Sequence, residues 1–161
     1  MHLAFVGQGY EAYAAAIREH ELSARVHVLG FVPPTELVPF IHGADGSLIV
    51  YYARSVNYAG ALPNGLFQSI AEELPILYPD LPEIGSLMRQ SNVGICIDPN
   101  SPQSIVDAVQ RLMTDPHAGG TAEARRKLHD RYTWISEERV FMGEVSRLLQ
   151  RMPSAQKPVA V

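Results

Sequence analysis

Cysteine is almost missing from this chain: Cys96 is the only one in 161 residues. A single thiol excludes an internal disulfide framework, and its place in an apolar run predicts a small buried hydrophobe. Positive charge is also short, with 13 Lys and Arg against 17 Asp and Glu and a net charge of −4. A nucleic-acid backbone needs a basic face, so nucleic acid is excluded as a partner. No stretch approaches the roughly 20 apolar residues that cross a bilayer. Residues 1–6 lack the basic lead and the apolar length of a secretory leader. The expectation is a soluble, cytoplasmic protein. There is no Gly-x-Ser-x-Gly elbow, no Walker loop and no His pair at metal-ligand spacing; the six histidines are scattered. No catalytic residue and no metal ligand is therefore assigned.

What remains is a globular balance, 47% apolar and 19% charged, in a chain long enough to bury a core as one domain. Short apolar runs alternate with helical periodicity throughout. Strands are expected at 3–6, 26–29, 47–52, 75–78 and 93–97. Helices are expected after residue 12 and over 35–41, where Pro39 should break or delay the turn. Further helices are expected over 64–74, from 84, and from 101 or 104, capped there by Ser101 or Ser104. The last two are expected over 122–132 and 136–151. In the helix after residue 101, Ile105, Val106, Val109, Leu112 and Met113 should face inward. In the last helix, Val140, Phe141, Val145, Leu148 and Leu149 should do so. The alternation predicts an α/β fold, a Rossmann-like parallel sheet with helices on both faces, over residues 1–151. Residues 152–161 are expected to form a disordered tail.

In such sheets ligands gather beyond the carboxyl ends of the strands. Gly7, Gly9 and Ala12 fit the relaxed glycine fingerprint of dinucleotide folds. The strand at 26–29, however, ends in Gly30-Phe31, without the carboxylate that would hold an NAD ribose. An NAD-linked oxidoreductase domain is thus a lesser alternative to a tight strand-to-helix turn. Residues 53–63 form a long connection, expected to be functional or mobile, and Arg54 is the one cation close to the helix that follows.

That helix organises the chain. It is introduced by Leu62-Pro63-Asn64-Gly65-Leu66-Phe67-Gln68 and closed at Glu73-Leu74-Pro75. Pro63 belongs outside the helix and Asn64 is expected to cap it. Leu66, Phe67, Ile70, Ala71 and Leu74 recur on one face. The unpaired N–H groups of Gly65, Leu66 and Phe67 would then face a cleft, where a helix start attracts phosphate.

These residues resemble the donor-site helix of the group 1 (family 4) nucleotide-sugar glycosyltransferases, which have two facing Rossmann-like domains (the GT-B fold). Phe5-Val6-Gly7-Gln8-Gly9, Val28-Leu29-Gly30-Phe31-Val32, Gly43-Ala44-Asp45, Val93-Gly94 with Asp98-Pro99, and Arg131-Tyr132-Thr133-Trp134 extend the resemblance over nearly the whole chain. The resemblance implies half of a GT-B fold: a C-terminal, donor-binding domain that moves a sugar from a nucleoside diphosphate sugar to an acceptor. It implies no cofactor and no metal, the nucleotide sugar being a substrate, and retention of anomeric configuration. The implied donor-binding residues are Gly7, Gly9, Phe31, Val32, Arg54, Pro63, Asn64, Gly65, Leu66, Phe67 and Gln68. Among these, the amides of residues 65–67 would hold diphosphate, Gln68 the ribose, and Phe31 with Val32 the base.

The chain departs from the family at three places. Gly60 and Gln68 stand where paired glutamates commonly frame the donor, and Glu73 stands where a glycine usually ends the helix. The Arg and Lys that meet the diphosphate come, in the family, from a unit upstream of residue 3. The partner expected here is therefore a missing N-terminal acceptor domain or a partner chain, and any peripheral membrane association would come only through it. Alone, this chain is expected to be inactive. The alternative is a degenerate, non-catalytic partner or regulatory domain of a glycosyltransferase.

Overall fold

The computed structural model describes residues 1–151; the expected tail at 152–161 lies outside them. The chain forms two compact units, residues 1–43 and residue 44 onward.

In the first unit, β1 (Leu3–Phe5) pairs in parallel with β2 (Val26–Val28), Leu3 opposite Val26 and Phe5 opposite Val28. A 3-10 turn over Tyr10–Tyr13 leads into α1 (Ala14–Glu19). The Phe5 ring stacks on Tyr10 and Tyr13 at 5.0 and 6.3 Å. Gly7 and Gly9 have φ of 127° and 92°, so the turn between strand and helix needs residues without a Cβ. α2 (Pro34–Ile41) follows β2 and runs through Pro39, which does not break or delay it. Pro34 occupies the first turn, where no N–H is required. Pro39 deletes a single internal bond two residues before the helix ends.

The second unit holds a parallel sheet of order β3-β4-β5: β3 (Ser47–Leu48), β4 (Ile76–Pro79) and β5 (Ile95–Ile97). All residues of the central strand β4 are buried, as expected for a parallel strand covered on both faces. Alternation sends Ile76 and Tyr78 one way and Leu77 the other. Ile76 and Tyr78 pack with Leu66 and Ile70 of α4 (Asn64–Ala71), Ile84, Leu87 and Met88 of α5 (Pro82–Ser91), and Leu128 of α7 (Ala122–Arg131). Leu77 packs with Ile95, Ile97 and Ala108 of α6 (Pro102–Thr114).

Helix ends are built from local chemistry. Ser101 Oγ accepts from Ser104 N–H at 3.2 Å, which settles the cap of α6 on Ser101. Thr121 Oγ1 accepts from Ala124 N–H at 3.2 Å and opens α7. Asn92 closes α5 in the left-handed region, at φ 52°. Gly94, at φ 84°, lies so close to the Ile76 carbonyl that a Cβ there would also meet Met88 and Tyr78 carbons at 3.0 Å.

Several sequence expectations are corrected. The ladder of β3 stops after Ile49 N–H donates to the Leu77 carbonyl at 2.8 Å, short of Tyr52. The long connection at 53–63 contains a helical turn, α3 (Val56–Ala59), capped by Ser55 Oγ on Tyr58 N–H at 3.4 Å. Cys96 is exposed, not buried: it alternates away from Ile95 and Ile97, to the face of β5 opposite the one that α6 covers. On α6, Ile105, Val109 and Leu112 pack against the sheet as expected, together with the buried Ala108, while Val106 and Met113 are exposed. The last helix, α8 (Trp134–Arg151), buries none of its residues, and Val140, Phe141 and Leu148 are exposed. Apolar periodicity reports a face able to be buried; it does not supply the surface that buries it.

Candidate functional site

α4 carries the stretch that the sequence singles out, and it begins at Asn64 with Pro63 as its cap residue. Pro63 has φ −71° and ψ 147°, an extended conformation that delivers the chain into the helix, and no side chain caps this start. The expected Asn64 cap is thus replaced by Pro63, with Asn64 one position further in. Pro63 has no N–H of its own to satisfy, which removes one of the orphan donors of the helix start.

The donors shift accordingly. Leu66 N–H donates back to the Pro63 carbonyl at 3.0 Å. Phe67 N–H falls where the first regular helical bond to that same carbonyl belongs. Of the three amides expected to be open, only that of Gly65 is. The other open amide is that of Asn64: among the described residues nothing accepts from either. Asn64 is exposed and Gly65 half-buried, so both donors sit at the surface end of the helix. A Cβ built on Gly65 would meet only Ile49 Cδ1, at 3.8 Å. Two adjacent unpaired N–H groups at a positive helix end form a cradle for an anion.

Packing fixes the cradle from below. Leu66 is fully buried. Phe67 packs against the same cluster, its ring 5.7 Å from that of Tyr132. Sequence periodicity placed Ala71 on the inner face, but Ala71 is exposed and Ser69 is buried instead. The Ser69 hydroxyl lies 2.7 Å from the Gly65 carbonyl and 2.7 Å from Ser47 Oγ. It therefore ties the first turn of α4 to β3. No motif announces Ser69; the signal available was a small polar residue at a core position of an apolar helix face.

The other end of α4 closes as a Schellman motif. Glu73 N–H donates to the Ile70 carbonyl and Leu74 N–H to the Ser69 carbonyl, both at 3.0 Å. Glu73 occupies the left-handed position, at φ 52°, where a glycine is the usual occupant. Its carboxylate reaches Arg126 of α7 at 3.3 Å.

The remaining expected residues are distributed as follows. Gln68 lies one turn into α4 and is half-buried. Gly60 ends α3 and is exposed. Arg54 is exposed, with its guanidinium 5.6 Å over the Tyr52 ring. Gly7, Gly9, Phe31 and Val32 belong to the first unit. There Gly7 N–H donates to the Gly30 carbonyl at 2.7 Å, and Gly9 N–H to the Glu11 carboxylate at 2.8 Å. Both N–H groups of the glycine fingerprint thus already have partners within the chain. Phe31 is 65% exposed and does not pack beneath its loop, while Val32 is half-buried. Among the described residues no cluster of His, Cys, Asp and Glu is arranged to hold a metal ion, and no helix is long and apolar enough to cross a membrane.

Parallel strands, with helices on both faces of β4, define an α/β fold, in which α4 opens directly after Pro63. The chain belongs to the group 1 glycosyl transferases, whose family model matches residues 1–115. Its fold matches part of a GT-B structure, that of WaaG, a glycosyltransferase involved in lipopolysaccharide biosynthesis. The TM-score is 0.62 at 20% identity, over 80% of this chain and 34% of that one. The chain thus spans about a third of the length of that protein. A search of curated protein sequences finds no match.

Proposed function

We propose that residues 1–151 form the donor-binding part of a glycosyltransferase that moves a sugar from a nucleoside diphosphate sugar to an acceptor held by another domain or chain. The observation that carries this is the open pair of N–H groups at Asn64 and Gly65, in a stretch within the matched family span. When the sugar–oxygen bond breaks, negative charge grows on the departing diphosphate. Fixed N–H donors at a helix end stabilise that charge without having to reorganise.

A helix start alone contributes roughly 0.3–1 kcal/mol to an anion, whereas even millimolar binding needs about 4 kcal/mol. Direct hydrogen bonds must supply the rest, each on the order of 1.5–3 kcal/mol when one partner is charged. Gln68, one turn on, is assigned to the ribose hydroxyls. As a neutral group it holds them more weakly than a glutamate, by on the order of 1 kcal/mol. Phe31 and Val32 remain assigned to the base, and Arg54 to a phosphate, by resemblance. Turnover would require the acceptor-holding part as well as the donor-binding residues.

The test is titration with UDP, GDP and ADP sugars, following backbone amide shifts. Movement should centre on Asn64 and Gly65. A spectrum that stays still around residues 62–68 at millimolar ligand rules the assignment out.

A second reading, a degenerate partner that stabilises or regulates an active transferase, is favoured by Gly60 and Gln68, which leave no carboxylate at either family position. Gly60→Glu with Gln68→Glu then raises donor affinity markedly if a donor pocket persists. No gain would speak for a surface with no such pocket.

A further inference from the structure

In the first unit, Ala4 of β1 stands opposite His27 of β2. The ladder reaches back beyond them, Leu3 N–H donating to the Arg25 carbonyl at 2.8 Å. Residues two apart on a strand share a face, so His2 lies on the same face as Ala4 and is the diagonal neighbour of His27. All three residues are exposed. With only a methyl group at Ala4, the two rings reach each other: His2 Nδ1 lies 3.1 Å from His27 Nε2. The ring centres are 5.4 Å apart and the planes within 15° of parallel.

Two nitrogens that face each other hold one proton between them, or one ion. In the hydrogen-bonded pair, one imidazole donates from its facing nitrogen and the other accepts. Once the donor ring carries that proton on its far nitrogen, both facing nitrogens present lone pairs as neutral imidazoles, the form that binds metals. Imidazole suits late divalent transition metals such as Zn(II) and Cu(II), with bonds of roughly 2.0–2.1 Å. Two nitrogens on one such ion are about 2.9 Å apart at a right angle and about 3.4 Å apart at the tetrahedral angle. The observed 3.1 Å falls between these values. Only the tilt of the rings has to change, so that the lone pairs converge on one point. Both rings are exposed, and their side-chain torsions supply that tilt without disturbing the core. Among the described residues no third His, Cys, Asp or Glu completes a cluster, so water fills the remaining positions. Mg(II) and Ca(II) require oxygen ligands and do not suit the pair.

We infer that His2 and His27 form a two-histidine site for a late divalent transition-metal ion, which ties the start of β1 to β2. A two-stranded sheet gains little stability from its own pairing, and an ion bound only when both strands are in place stabilises the folded unit by mass action. The site belongs to the first unit and α4 to the second, so it stands or falls independently of the donor-binding reading.

The test uses the full chain without a polyhistidine tag, titrated calorimetrically with ZnCl2 and with CuCl2. A single ion should bind per chain. With ZnCl2 the ring resonances of His2 and His27 should move together, and the melting temperature should rise. His2→Ala and His27→Ala should each weaken binding by roughly tenfold or more and cancel the thermal shift. Both positions are exposed, so far-UV circular dichroism should stay unchanged, and His27→Gln repeats the test with a side chain of similar length. His117→Ala, which removes an exposed histidine of the second unit, should leave binding as it is, and MgCl2 should give no heat. Affinity retained in His27→Ala would place the ion on His2 alone. Ring resonances of His2 and His27 that stay still, or a site lost with His117, would place it elsewhere. Each of these three results overturns the inference.

Discussion

Replacing Asn64 by proline removes one donor from the proposed cradle and nothing else the helix uses. Asn64 is the first residue of α4, where the N–H has no intrahelical partner. The residue before a proline must be extended, and Pro63 already has ψ 147°. Proline is well suited to a first helical position, and Asn64 makes no capping hydrogen bond that would be lost. Folding should therefore be unharmed, with a gain of about 0.4–1 kcal/mol from a stiffer unfolded chain. Binding should fall by the worth of one charged hydrogen bond, roughly 1.5–3 kcal/mol, which is a Kd raised between about tenfold and a hundredfold. Asn64→Ala keeps the N–H and is the control; its affinity should match that of the parent. Calorimetric titration with UDP and a thermal melt read both quantities on the same variants. A folded Asn64→Pro protein that binds UDP as tightly as the parent refutes the cradle. Equal losses in both variants would move the contact from the backbone to the side chain.

Three further outcomes are expected. Glu73→Gly relieves a left-handed residue, worth about 1–2 kcal/mol, against roughly 0.4–1 kcal/mol of added unfolded-state freedom and an exposed ion pair to Arg126 worth about 0–1 kcal/mol. Denaturant midpoints should therefore stay level or rise slightly, and a clear drop would show that the Arg126 contact dominates. Gly94→Ala places a methyl against the Ile76 carbonyl at a positive φ, and urea unfolding should show a loss of roughly 2–5 kcal/mol. Burial raises the pKa of Tyr78, with Cys96 adding to it; the Cys96 thiol, though exposed, is partly shielded from water by its neighbours, which raises its pKa, with Asp80 adding to it. Because both folded values lie above the unfolded ones, their contribution is complete below the ordinary thiol and tyrosine values and is lost as pH rises through the raised ones. Alkaline titration should show stability falling in that range, and Cys96 alkylation should have a higher pH midpoint than an unstructured peptide.

Much of the fold was legible in residue order because it rests on local rules. Ser101 was one of two caps the sequence offered for α6, and the short apolar runs around Ile76 and Ile95, bounded by turn residues, read as strands. The Leu62–Gln68 stretch announced both a helix and its family, since a Pro-Asn-Gly lead into Leu-Phe limits the backbone to few courses. Tertiary structure decided what local rules leave free. Which amides stay open depended on Pro63 turning its carbonyl toward Leu66, so that Asn64 and Gly65, not Leu66 and Phe67, are the free donors. Ser69 is buried because β3 presents Ser47 to it. Cys96 is exposed because it points to the face of β5 opposite the one that α6 covers. The apolar face of α8 is unburied because no described element covers it. Propensity and capping act over a few residues and are written in the chain; burial is a property of a neighbour that sequence spacing does not locate.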